Sequence, residues 1–244
     1  MNVVKETLDN QLLITHQGGH LWLTLNRPQK ANAMTVEMMQ NASAAILAAQ
    51  ADESVKSIVL SGAGEKIFCA GVDIHEKPEG LDATQQRTRR SQALAALQDA
   101  ILDCSKPLIV VLNGSAIGAG AMMALMADAC VSVVSASISL PEIDIGIASF
   151  SGIDILSEIG GRALALDLIQ SGRKMPAQEA STRGLVHALA VREDLLQVAS
   201  KMADLLGNKN SKAFSENKRW INASLKASLG TARLEHARHR ASQS

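Results

Sequence analysis

Residues 107–128, PLIVVLNGSAIGAGAMMALMAD, constrain this chain more than any other stretch. Leu108 to Leu112 is a continuous apolar run with β-branched residues, the pattern of a strand buried on both faces. Asn113-Gly114 breaks it, and Gly118-Ala119-Gly120 follows without a bulky side chain. Residues 121–127 are apolar all round, which predicts a buried helix. A buried strand therefore passes through a small-residue turn into a helix start. There the first backbone N–H groups have no internal partner and carry the positive end of the helix dipole. Small residues let a ligand approach that main chain closely. The stretch is suited to holding negative charge on backbone amides.

The chain has 244 residues, enough for a large single core, and its 24 basic and 24 acidic residues balance. A neutral chain argues against bulk attraction to nucleic acid or to a membrane surface, and the absence of tyrosine weakens any base-stacking reading. Cys69, Cys104 and Cys130 are odd in number and lie in apolar neighbourhoods, the pattern of buried free thiols in a reducing compartment. The N-terminus shows no basic-then-apolar signal and no apolar run reaches membrane-spanning length, so a cytoplasmic location is expected.

Residues 12–15 and 20–25 flank Gly18-Gly19 and predict a β-hairpin. Thr35 is a candidate N-cap, with Glu37 in the first turn, for a helix to about Ala51. Residues 57–61 predict another buried strand. Gly62 to Lys66 only superficially looks like a phosphate loop, because the Gly-Lys-Ser/Thr ending is missing. Residues 77–92 are polar and read as a surface loop or the start of a helix, with helical spacing over 91–104. Short strands are expected at 131–134 and 137–140. Helices are expected at 152–159, 162–170, 177–183 and 194–206, with a strand candidate at 185–190. Residues 211–244 read as amphipathic helix passing into a polar tail.

Two segments place small residues where amides could be exposed: Ala70-Gly71 after a strand, and Gly118-Ala119-Gly120. Two amides aimed at one point make an oxyanion hole. The pair FCAGVDI (68–74) and NGSAIGAG (113–120) resembles the two signature segments of the crotonase superfamily, the enoyl-CoA hydratases and isomerases. The likeness runs on through LTLNRP (23–28) with ANAM (31–34), ADAC (127–130), Pro141-Glu142 with Gly146, GRK (172–174) and GLV (184–186). It spans about residues 12 to 205.

This resemblance implies an α/β fold: a crotonase-like ββα spiral core over 1–190, then a helical C-terminal region over 191–244, shorter than usual for the family. It implies an acyl-CoA substrate, assembly as a homotrimer or hexamer, and no nucleic-acid or membrane partner. It implies no cofactor beyond the coenzyme A carried by the substrate, and no metal. The thioester carbonyl would be polarised by the N–H groups of Ala70 and Ala119, with Cys69, Gly71, Asp73, Ile74, Gly118, Gly120, Met122 and Phe150 lining the substrate. Polarising that carbonyl stabilises the enolate left when a proton departs from the neighbouring carbon.

Acid and base groups then choose the reaction. The family's hydratases use two glutamates. One lies three residues after the second oxyanion amide, almost one helical turn on and over the same pocket, where this chain has Met122. The other follows a proline and is present as Glu142. Two carboxylates can position a water, while one suffices to carry a proton between two carbons. The single-glutamate pattern is similar to the family's Δ3,Δ2-enoyl-CoA isomerases. A dienoyl-CoA isomerase would instead carry acids at Phe150 and Met122. Asp144 and Asp154 lie near Glu142 in sequence but suit solvated or capping roles, and Cys69 has no histidine placed to activate it. Arg87, Arg89 and Arg90 read as a solvated helix face or as contacts to coenzyme A phosphates. Alternatives on the same fold are a weak hydratase or a thioester decarboxylase. A different class is a non-catalytic homologue that binds acyl-CoA or acts as a scaffold.

Overall fold

The computed structural model describes residues 4–242. It opens with an antiparallel meander of β1 (Val4–Asp9), β2 (Leu12–Gln17) and β3 (His20–Leu25), with Gly18 and Gly19 at φ +63° and +81° turning the second hairpin. Helix α1 (Val36–Ala51) follows, and its first turn is capped as expected: the Thr35 hydroxyl oxygen accepts the Met38 N–H at 3.1 Å. Its methionines Met38 and Met39 are fully buried, so their helical spacing marks a core face.

Three strand–strand–helix units come next. They are β4 (Ser57–Gly62), β5 (Ile67–Cys69) and α2 (Ala83–Asp103); β6 (Leu108–Leu112), β7 (Ser115–Ile117) and α3 (Ala119–Met126); and β8 (Ala129–Val133), β9 (Ser137–Ser139) and α4 (Phe150–Ser171). The first strand of each unit joins a seven-stranded sheet, and the second joins a four-stranded one. The chain thus winds from one sheet to the other and out through a helix, three times over. Strand β10 (Met175–Pro176) ends the smaller sheet, whose order is β10-β9-β7-β5. Helix α5 (Ala177–Thr182) leads to β11 (Ala188–Ala190), which closes the larger sheet in the order β1-β2-β3-β4-β6-β8-β11. Strands β3, β4, β6, β8 and β11 are parallel, and β6 and β8 are buried at every position, which explains their unbroken apolar runs.

Helix α6 (Leu195–Gly207) lies across β4, β6, β8 and β11. Helices α7 (Ser211–Ile221) and α8 (Ala223–Ser242) complete the described chain. Helix α7 is pinned by Lys218, a residue 4% exposed whose ammonium donates to Asp128 Oδ2 at 2.6 Å; the same oxygen accepts the Leu108 N–H at 2.7 Å. Burial pushes the Asp128 carboxyl up even with Lys218 beside it. The three cysteines are free and buried, as expected.

The polar segment 77–92 is irregular to Asp82 and then the expected start of a helix: α2 starts at Ala83, behind a capping box in which Asp82 Oδ1 accepts the Gln85 N–H at 2.8 Å and Gln85 Oε1 accepts the Asp82 N–H at 2.9 Å. Other element expectations need correction. The expected helices at 152–159 and 162–170 are two halves of α4, which bends at Gly161 (φ 78°, ψ 164°). Strand β7 sits inside the segment expected to be only a turn, and the 211–244 helix is broken in two at Asn222. The expected polar tail beyond Ser242 lies outside the described residues.

Candidate active site

The small-residue turn does expose an amide. Gly118 precedes α3 at φ 56°, ψ −123°, a backbone state that side-chain-bearing residues avoid, so glycine is required there. Ala119 is the first helical residue, and its N–H has no intrahelical partner and no acceptor among the described residues. Gly71, at φ +94°, presses against it: a Cβ at Gly71 would lie 3.2 Å from both Ala119 N and Ile117 O. Gly120 packs equally closely on the other side, where a Cβ would come within 2.5 Å of Cys69 O. The two motifs, 48 residues apart at Gly71 and Ala119 in sequence, therefore meet backbone to backbone.

The expectation for Ala70 is corrected. Its N–H donates to Ala31 O at 3.0 Å and is already committed. The Gly71 N–H is also occupied, by Cys69 Sγ at 3.3 Å. Val72 differs. It bridges Met34 in parallel, with the Met34 N–H donating to Gly71 O and the Asp73 N–H donating to Met34 O, both at 2.8 Å. That alternation turns the Val72 N–H away from Met34, and no acceptor among the described residues takes it. The Val72 and Ala119 amides are thus both uncommitted.

Glu142 sits in a 3-10 turn, Pro141–Ile145, directly after β9. Its Oε1 lies 3.3 Å from where a Gly118 Cβ would be, so the carboxylate stands over the residue that precedes the Ala119 amide. Its Oε2 is buried without a partner among the described residues. Burial pushes this carboxyl above the usual range, while its own backbone N–H and the Ser149 hydroxyl pull the other way. A desolvated carboxylate with an open oxygen is equipped to take up and return a proton. Ser149 was not singled out in the sequence; only its fold contact with Glu142 marks it.

Met122 is 5% exposed and forms an apolar wall one turn into α3. Its sulfur accepts the Gln98 Nε2–H at 3.6 Å, and its Cε lies 3.2 Å from the position of a Gly152 Cβ. The remaining candidates divide between structural and peripheral places. Burial raises the Cys69 thiol to about 12, so it is a core thiol and not a nucleophile. Burial pushes Asp73 upward too, but its hydrogen bond to Arg27 Nη1 (2.9 Å) and the His75 N–H hold it below the usual range. That pairing makes Asp73 a latch between segments. Ile74 is half exposed, and its carbonyl and that of Glu76 accept Arg90 Nη1, which staples the loop to α2. Arg87 reaches Thr84 Oγ1 at 3.4 Å. Phe150 turns its ring toward α8, stacking on His236 at 5.5 Å with His239 at 5.8 Å. Asp144 rests against Gly172, and Asp154 against Ser228 of α8.

The enoyl-CoA hydratase/isomerase family model matches residues 15–242. The chain belongs to that family. It is an acyl-CoA enzyme of the crotonase superfamily, whose members act on acyl-CoA thioesters. It is 34% identical over 227 residues to a Bacillus subtilis protein named "Putative enoyl-CoA hydratase/isomerase YngF", covering 92% of this chain and 86% of that one. It is 36% identical over 199 residues to the 2,3-dehydroadipyl-CoA hydratase of Escherichia coli, covering 80% and 76%. Among solved structures, an enoyl-CoA hydratase from Mycobacterium avium subsp. paratuberculosis superposes with a TM-score of 0.83 at 25% identity, covering 95% of this chain and 92% of that one. The ββα spiral with a helical C-terminal region is the fold these proteins share.

Proposed function

We propose that this enzyme shifts a double bond, converting a 3-enoyl-CoA into the 2-enoyl-CoA, with Glu142 as the single proton carrier. The observation that carries the reading is one partly buried carboxylate, its Oε2 enclosed, over the Gly118–Ala119 turn, with a thioether where hydration would need a second acid. Glu142 takes a proton from the carbon next to the thioester. The electron pair moves onto the thioester oxygen, which the N–H groups of Ala119 and Val72 stabilise as a dienolate. Glu142 then returns its proton to the far carbon of the allylic system. Atoms and charge balance with one proton moved, so the step calls for no redox partner. The raised proton affinity of Glu142 suits it to hold the proton between the two transfers.

The test is to follow conversion of 3-enoyl-CoA by the purified protein, with hydration of 2-enoyl-CoA measured alongside. Conversion with little hydration supports the reading; hydration as the faster reaction would replace it. That second reading, a hydratase with one carboxylate, is favoured by the hydratase names of relatives such as the Escherichia coli protein. For assembly, we assign the exposed isoleucines behind Glu142, Ile143, Ile145 and Ile147, to contact with a second copy of the chain in a homotrimer or hexamer. Light scattering that reports a monomer would remove that assignment.

A further inference from the structure

Gln98 is an odd residue for its place. It lies on the core face of α2, 1% exposed, between Leu97 and Ile101, both fully buried. Burying a primary amide costs about 1–3 kcal/mol unless its groups are bonded, and a leucine would fill the space without that cost. The only acceptor its Nε2 meets among the described residues is the Met122 sulfur, and a thioether is a weak acceptor. Its Oε1 accepts Arg233 Nη2 at 3.0 Å. Arg233, from α8, is itself fixed: its Nη1 reaches both oxygens of Asp99 at 2.8 and 3.0 Å, and its Nη2 reaches Ala95 O at 3.3 Å.

This order of contacts sets a direction. A guanidinium only donates, so the amide oxygen of Gln98 must face Arg233 and the NH2 group must face Met122. The brace therefore runs Asp99–Arg233–Gln98–Met122, from the outer face of α2 through α8 to the wall of the site. At its end the Met122 methyl lies against Gly152 of α4, where an added Cβ would fall 3.2 Å from its Cε. Leu140 also crowds Gly152, where a Cβ would fall 2.7 Å from its Cδ2. We propose that Gln98, oriented by Arg233, is a positioning residue that holds the Met122 thioether in place and so keeps water from the substrate's double bond. The proposal deepens the isomerase reading and rests on it for the role of the wall, though not for the brace itself.

The experiment labels the methionine methyl groups with carbon-13 and assigns Met122 by its loss in Met122→Leu. In Gln98→Leu, the Met122 resonance shifts and broadens, and the ratio of hydration to isomerisation rises by about fivefold, the worth of one neutral hydrogen bond. Arg233→Met does the same, Arg233→Lys recovers part of the effect, and the double variant Gln98→Leu/Arg233→Met is no worse than either single. The Arg233 variants carry the test even if Gln98→Leu fails to fold. A Met122 resonance that stays put in Arg233→Met, or single effects that add in the double variant, would overturn the brace. A resonance that moves while the product ratio does not would overturn the water-excluding role. The resonance is read without substrate, so a parent protein that isomerises no enoyl-CoA would sink the proposed reaction and leave the brace standing.

Discussion

The two walls beside Ala119 are built by opposite means. The charged wall, Glu142, hangs on a 3-10 turn with only its own backbone N–H and one hydroxyl for support and one oxygen without a partner among the described residues. The apolar wall, Met122, lies in a regular helix and is backed by an amide, a guanidinium and a carboxylate. The ions are spent behind the neutral side chain and withheld from the charged one. A proton carrier works when its charged form is poorly stabilised, because strong partners would lower its proton affinity. A wall works when it does not move.

The contrast is broken most severely at Glu142. Glu142→Gln is expected to lower turnover by roughly 10²–10⁴-fold, the usual worth of a general base. The same variant is expected to raise the thermal midpoint at neutral pH. A carboxyl whose proton affinity is raised by folding penalises the folded state wherever it ionises, so the gain appears above the ordinary value of 4.5 and vanishes below it. Melts at pH 4 and pH 8 check the sign; an equal gain at both would refute burial as the cause.

Gly118→Ala comes next. It forces a side chain into a glycine backbone state, at a cost of about 1–3 kcal/mol, and pushes on Glu142 Oε1 from 3.3 Å. Turnover should fall by about 10²-fold, as for a misplaced reacting group, with KM changing much less. Steady-state kinetics in which KM carries the whole loss would show that the turn binds and does not orient.

Met122→Glu sharpens the comparison by making both walls acidic. The amide of Gln98 already presents a donor to position 122, so a carboxylate there would be received by a better-matched partner than the thioether has. Hydration of 2-enoyl-CoA should rise about 10²-fold over the parent, the low end of what an added general acid or base supplies. A folded variant with no gain would show that the position does not reach the water site.

The smallest effect on catalysis is expected at Lys218→Met, away from both walls. It strands the buried Asp128 and should cost about 3–5 kcal/mol in chemical denaturation, with kcat/KM near that of the parent.

How much of this the sequence carries depends on the distance over which each feature is decided. The Ala119 turn is legible because strand, small triplet and apolar helix are adjacent. Glu142 is legible from its place after a proline once the family likeness is seen. The amide of the other segment is not, since Ala70, Gly71 and Val72 differ only in which way each N–H points. Pairing with Ala31 and Met34, almost 40 residues earlier, settles that. The start of α2 is only half legible: Asp82 and Gln85 cap it, but its polar first turns fit a surface loop as well as a helix. Gln98 and Arg233 are 135 residues apart, and nothing in either neighbourhood announces that they meet.

That separation also orders events in the life of the chain. During synthesis the amide turn and Glu142 are complete once residue 150 or so has emerged, while the brace waits for α8. A nascent chain at the earlier stage carries Gln98 and Met122 but not yet Arg233. The brace is thus the last part of this region that the chain can assemble, when α8 packs on α2 and α4.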